Sequence, residues 1–192
     1  MKLVLPNVEL VCVENRNIYL AEKAIHETTK NIRFKNVLFF KQLNINSNEE
    51  YSYFIMKELN NYITADYCMI IQWDGYVLNS HLWTNDFLKF DYIGAPWDWF
   101  KHYKVGNGGF SIRSKKLMNE LQNEFYMFTH PEDRMIGCLY RTHLENKGFT
   151  FADLETASKF SFETPNSYQK VFTGKDTFGF HDKQSLVWLN KK

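Results

Sequence analysis

Three places in the sequence put an acid or an imidazole where chemistry is possible. Asp74 closes "DYCMIIQWDG" (66–75), an apolar run that ends abruptly in Asp-Gly. A carboxylate at the tip of a buried strand projects over the sheet edge and can hold a divalent cation. Mg2+ needs only one or two protein carboxylates when phosphates supply the other oxygens, and Mn2+ also accepts imidazole. The competing reading is a plain Asp-Gly turn. Glu132 and Asp133 stand in the first turn of the helix expected in "THPEDRMIGCLY" (129–140). Acids there are favoured by the helix dipole, and Glu132 has capping-box spacing from Thr129; alternatively a carboxylate there takes the proton of an acceptor hydroxyl as general base. His181, in "FGFHDK" (178–183), is either a hydrogen-bonded surface residue or part of a tail folded back over a site.

A fourth stretch, "GNGGFSIRS" (106–114), places three of the nine glycines within four positions. Glycine is favoured where φ is positive or where another group approaches closely, so this is either a tight turn before a strand or a place where side chains must be absent. The sequence has no His-Glu-x-x-His, paired Cys-x-x-Cys, Gly-x-Ser-x-Gly or Walker-type loop.

The elements that must position these residues follow from apolar spacing. "VELVCVEN" reads as a buried strand, Ala21, Ala24, Ile25 and Ile32 follow helical spacing, and "NVLFF" supplies a second β-rich run. That βαβ unit implies a parallel sheet. Ser47 and Glu50 have capping-box spacing, ahead of a helix with Tyr51, Phe54, Ile55, Leu59 and Tyr62 on one face. "DYCMIIQWDG" is then a central strand whose C-terminal edge is where open α/β sheets bind ligands. The same edge argument sets Asn15 and Arg16, just past the first strand, beside a ligand bound there. "DYIGAPWDWF" (91–100) predicts a short strand broken at Pro96, and Phe110 with Ile112 another, after which Ser114 caps a helix carrying Leu117, Met118, Leu121 and Phe125. Pro131 opens a helix with a buried stripe of Met135, Ile136, Leu139 and Tyr140, and Gly148 ends it. "FTFADLE" (149–155) predicts a further strand. The sum is an α/β fold, a mixed and mostly parallel sheet flanked by helices, in a single domain over 1–192.

Composition narrows the partners. A formal net charge of +1 gives no global attraction for nucleic acid. Cys12, Cys68 and Cys138 are far apart and two lie in apolar runs, which suits free thiols in a reducing cytosol. The opening "VELVCV" is interrupted by Glu9 and has no cleavage site, so neither a signal peptide nor a membrane span is expected there. The aromatic content of 17% serves cores and polar-ligand pockets alike and does not separate them.

Taken in order, "IIQWDG", "DYIGAPW", "VGNGGFSIRSKKL", "HPEDRMIGCLYR" and "FGFH" resemble a family of small bacterial proteins of unassigned substrate. That family is regarded as glycosyltransferase-like, with the nucleotide-sugar-binding fold called glycosyltransferase A. The match runs from the first strand to His181 and is specific in order and spacing. "GGFSIRS" and "PEDRMIG" also resemble the Fringe and β-1,3-glycosyltransferase pattern, a glycine-rich strand start followed by an acidic pair. The resemblance implies that Asp133, ahead of Glu132, is the base. It also implies that Asp74 is the last aspartate of an Asp-x-Asp metal motif and His181 the late metal-binding histidine. Gln72 departs from the pattern where the first acid would stand: an amide hydrogen-bonds a ribose hydroxyl but adds no negative charge for a cation. Gly108 and Gly109 would lack side chains so that backbone N–H groups and Asn107 line a sugar pocket.

By that resemblance the protein moves a sugar from a nucleotide diphosphate sugar to a hydroxyl of a bacterial surface glycan, in the cytoplasm. Mn2+ or Mg2+ on Asp74 and His181 assists, and one base opposite one leaving group implies inversion. Trp73, Trp97 and Trp99 are candidate ring-stacking walls, whereas Trp83 reads as core packing. The main rival is a non-catalytic nucleotide- or glycan-binding module in which Gln72 marks lost metal chemistry. A nucleotidyltransferase is a third reading, for which "ENRNIYL" is a poor phosphate loop.

Overall fold

The computed structural model describes residues 2–98, 100–102, 104–124 and 130–191, so Trp99, Phe125 and Thr129 lie outside the described residues. β1 (Leu3–Val13) and β2 (Ile32–Phe40) pair in parallel, with α1 (Ile18–Thr29) crossing between them and burying Ala21, Ala24 and Thr28. Ile32 belongs to β2 rather than to the helix: Lys30 N–H closes the last turn on His26, and Ile32 already pairs with Leu3. β3 (Tyr67–Ile71) adds in parallel to the other side of β1. Val8, Leu10, Val11 and Cys12 of β1 and Cys68 to Ile71 of β3 have no exposed surface, as expected of strands covered on both faces.

α2 (Asn48–Tyr53) starts where Ser47 Oγ accepts the Glu50 N–H at 3.1 Å. It continues through a wider π turn that buries Phe54, Ile55 and Met56, while Tyr62 stays exposed, edge-on to Phe40. After β3 come β4 (Gly75–Val77), β5 (Tyr92–Ile93), β6 (Ala95–Pro96), β7 (Val105–Gly106) and β8 (Phe110–Ser114). The break expected at Pro96 falls at Gly94, and Pro96 pairs with Val105 in a two-residue ladder short enough to tolerate its missing N–H. β8 lies antiparallel to both β3 and β5, giving a mixed sheet in the order β2-β1-β3-β8-β5 with β8 reversed against the rest.

Helices cover this sheet. α3 (Lys115–Asn123) is capped by Ser114 Oγ, which accepts the Leu117 N–H at 3.0 Å, and buries Leu117, Met118 and Leu121. α4 (Glu132–Arg134) runs into a π turn in which Tyr140 N–H reaches Met135 O at 2.8 Å. The wider turn keeps Met135 and Ile136 inside but rotates Leu139 out to 69% exposure, which cuts short the expected stripe. α5 (Arg141–Asn146) is followed by Gly148 at φ 84°. "FTFADLE" forms no extended strand: Phe151 makes one bridge to Tyr92, and Asp153 caps α6 (Leu154–Phe160). β9 (Ser161–Phe162), β10 (Gly179–His181) and α7 (Lys183–Asn190) complete the chain, with a second sheet ordered β4-β10-β9. Trp83 packs edge-on to Phe87 and Phe178 in the core. Among the described residues no helix is long and apolar enough to cross a membrane.

Candidate active site

β10 lies between β4 and β9 and carries His181 to the tip of β3. It runs antiparallel to β4, with His181 opposite Gly75, and Asp182 N–H donates to the Asp74 carbonyl at 3.2 Å. β3 ends in a tight turn closed by Gly75 N–H on Gln72 O at 3.1 Å, which turns Gln72 and Asp74 toward the incoming strand. His181 Nε2 therefore stands 2.9 Å from Gln72 Oε1 and 3.2 Å from Asp74 Oδ1. The contact with Asp74 lacks hydrogen-bond alignment, so Asp74 Oδ1 and His181 Nδ1 are buried polar atoms with no hydrogen-bond partner among the described residues. Burial, the largest influence on His181, lowers its basicity, but the carboxylates of Asp74, Glu163 and Asp133 outweigh it and leave the imidazole above its usual value.

Gly108 and Gly109 hold the imidazole and the acidic pair against one loop. A Cβ on Gly108 would stand 2.1 Å from Glu132 Oε1, and one on Gly109 2.2 Å from His181 Nε2. The positive φ of the loop, 72°, falls instead on Asn107, whose Oδ1 accepts the N–H groups of Gly109 (3.1 Å) and Phe110 (3.3 Å). Gly108 N–H donates to Asp133 Oδ2 at 2.9 Å. Both glycine N–H groups are thus engaged within the protein, and Asn107 is buried beneath the turn. The two glycines line the cavity as expected, but their N–H groups and the Asn107 side chain are turned to the protein rather than to a ligand.

The two adjacent acids have different fates. Glu132 Oε1 pairs with Arg113 Nη2 at 2.9 Å, with side chains 5% and 0% exposed. Arg113, on β8, also donates to Ser111 Oγ at 3.3 Å and lies over the Tyr92 ring at 5.4 Å. Among the described residues Asp133 has no such ion-pair partner: burial and the neighbouring Glu132 charge raise its pKa, against the N–H groups of Gly108 and Arg134 and the Arg113 charge.

A cavity of about 420 Å3 joins these parts. Of the residues singled out in the sequence, Asn15, Arg16, Gln72, Trp73, Gly108, Gly109, Glu132, Asp133 and His181 line it; Asp74 stands behind His181 and Asn107 under the turn. Asn15 spends its amide protons on the carbonyls of Ile45 (2.6 Å) and Leu43 (3.2 Å), and the Arg16 guanidinium donates to Asn46 O, so both fasten the cavity wall. Two residues were not foreseen. Lys183 lines the cavity with Nζ 5.3 Å from the Trp73 ring centre, and its signal was present two positions after His181 in "FGFHDK". Glu163, one step beyond the β9–β10 pairing, accepts the Trp97 Nε1–H at 2.5 Å, and burial pushes its carboxyl up to about 7. No motif marks it. Among the described residues no three His, Cys, Asp or Glu side chains cluster as a metal site, so any cation here draws on Asp74, His181 and the Gln72 amide.

The chain belongs to the family described as "Protein of unknown function (DUF5672)", which matches residues 33–181. No curated protein matches it. Its fold is similar to that of a solved glycosyltransferase involved in the glycosylation of the major capsid of PBCV-1, with TM-score 0.60 and 12% identity over 96% of this chain and 99% of that one. It is also similar to the apo form of the glycosyltransferase GlyE of Streptococcus pneumoniae TIGR4, with TM-score 0.55 and 10% identity over 95% of this chain and 59% of GlyE. At such identities the likeness establishes a glycosyltransferase-like fold.

The different settings of the carboxylates have measurable consequences. Removing Glu132 leaves the buried Arg113 guanidinium unpaired, so Glu132→Ala is expected to lower the urea-unfolding free energy by about 3–5 kcal/mol. Glu163 behaves oppositely. Folded Glu163 keeps its proton up to about 7, whereas an unfolded glutamate releases it near ~4.3, so ionisation opposes folding and stability falls as pH rises through that window. Glu163→Gln should therefore raise the melting temperature at pH 8 and leave it nearly unchanged at pH 4, as read by calorimetry.

Proposed function

We propose that the protein transfers a sugar from a nucleoside diphosphate sugar to a hydroxyl of a glycan acceptor. The observation that carries this reading is the meeting of Asp74, Gln72 and His181 with Asp133 across the Gly108–Gly109 loop, beside a cavity that Asn15 and Arg16 also line. The glycosyltransferase-like fold supports it.

Asp133 is the base. Gly108 N–H holds one carboxylate oxygen, while Glu132, tied to Arg113, keeps the helix start in place and adds the negative field that makes Asp133 more basic. As the acceptor oxygen bonds to the anomeric carbon, its proton passes to Asp133. The bond from that carbon to the diphosphate oxygen breaks with its electron pair, and attack opposite the leaving group gives inversion. Lys183 supplies a positive charge to the diphosphate from the cavity wall.

The donor set fits a divalent cation. Two ligands each about 2.1 Å from a metal and at right angles are about 3 Å apart, close to the 2.9 and 3.2 Å that separate His181 Nε2 from Gln72 Oε1 and Asp74 Oδ1. An imidazole in the set favours Mn2+ over Mg2+. When bound, such an ion stabilises negative charge on the leaving diphosphate. With one formal negative charge from the protein, the nucleotide must complete the shell.

Asp133→Asn is expected to lower kcat by two or more orders of magnitude while nucleoside diphosphate binding, read by calorimetry, is retained. Loss of binding together with turnover would favour a structural role for Asp133, and unchanged binding in a wild type without turnover would favour the binding-module reading. Because protonated Asp133 accepts no proton, kcat/KM should be present at high pH and fall on the acid side. The midpoint should lie above the ~3.9 of an ordinary aspartate, in the direction that burial and Glu132 shift it.

A further inference from the structure

Resting on the transfer reading above, we propose that Glu163 is a specificity-determining residue that binds a hydroxyl of the transferred sugar or of the acceptor. Its placement comes from the β9–β10 pairing. Gly179 pairs with Ser161 and Phe180 with Phe162, and one step beyond that pairing the two chains reach Glu163 and His181, whose charge acts on the Glu163 carboxyl. Residues in register on neighbouring strands present their side chains to the same face, so Glu163 shares the face of the imidazole.

The side chain is held but not used up. Trp97, 5% exposed and lying against Gly106 of the glycine loop, donates its Nε1–H to Glu163 Oε2 at 2.5 Å. Among the described residues that is the carboxylate's hydrogen bond, no Lys or Arg forms an ion pair with it, and the residue is only partly buried. Among the described residues no hydrogen bond reaches its other oxygen.

The surroundings select that partner. The charges of His181, Asp133 and Asp182 act on Glu163, which lies outside the lining of the cavity that Asn15 and Arg16 line. Two further carboxylates beside it disfavour a phosphate there. A hydroxyl is neutral and donates a hydrogen bond that a carboxylate accepts strongly. In the proposed reaction the hydroxyl-rich groups beyond the diphosphate are the transferred sugar and the acceptor, and both present the same chemistry.

The experiment compares wild type, Glu163→Gln and Trp97→Phe. UDP-glucose, UDP-N-acetylglucosamine and GDP-mannose serve as donors, methyl glucoside and methyl galactoside as acceptors, and nucleoside diphosphate release is the readout. Assayed at pH 8, where the wild-type carboxyl is ionised, Glu163→Gln keeps an oxygen for the Trp97 N–H but loses the charged acceptor. Its KM for the donor or for the acceptor should rise about tenfold, whatever kcat does, while the inhibition constant of the free nucleoside diphosphate stays unchanged. A donor KM shift assigns the hydroxyl to the transferred sugar, and an acceptor KM shift assigns it to the acceptor. Both KM values unchanged in Glu163→Gln, or a KM rise confined to Trp97→Phe, overturns the proposal and leaves the transfer reading standing. A wild type that releases no nucleoside diphosphate from any of the donors overturns both.

Discussion

The site depends on β10 lying between β4 and β9. With the residue that precedes it, this three-residue strand alternates: Phe178 and Phe180 flank Gly179, and the two rings are fully buried, Phe180 edge-on to Tyr76 and Phe178 against Trp83 and Phe87. Burying each such ring stabilises the fold by about 2–3 kcal/mol, so the strand is anchored by apolar contacts that take no part in the chemistry. The next residue, His181, is thereby fixed against Gln72, 109 positions earlier in the chain. The pairing with β4 sets the imidazole beside Asp74, and one step beyond the pairing with β9 the chain reaches Glu163, on which the imidazole charge acts. A slip of one residue would turn His181 away from all three.

The same economy of space governs the glycine loop. Gly108 admits the Glu132 carboxylate and Gly109 the His181 ring, so two adjacent residues without side chains let a helix start and a tail strand approach one turn. A buried ion pair such as Arg113–Glu132 is seldom worth more than apolar packing of similar size. Here it anchors the turn that carries Asp133, and among the described residues Asp133 and Glu163 have no basic ion-pair partner. Unpaired carboxylates cost stability, and under the proposed transfer that cost falls where an acid is needed.

Much of the scaffold was legible in the sequence because it rests on local pattern. The βαβ opening, the caps at Ser47 and Ser114 and the stop at Gly148 follow from spacing and turn chemistry, and the structure has them. Local pattern misled where a wider turn intervened, as with Leu139, and where a residue's side chain was needed by its own loop, as with Asn107. The aspartate, the acidic pair and the histidine could each be singled out by neighbouring residues and by family resemblance. Their meeting could not be read from any local feature, because it is made by strand pairing across more than a hundred positions. Glu163 was invisible for the same reason: its surroundings are supplied by β10, Trp97 and Asp133, none of them near it in sequence.

The central claim is that Asp74 and His181 together hold the cation of a diphosphate site. It is tested most directly by anomalous diffraction from crystals grown with Mn2+ and, in separate drops, UDP and GDP. The account predicts a manganese peak within coordination distance of Asp74 Oδ1 and His181 Nε2, with the diphosphate against it and toward Lys183. A nucleotide bound elsewhere, or bound in this cavity with the manganese away from both side chains, would contradict it.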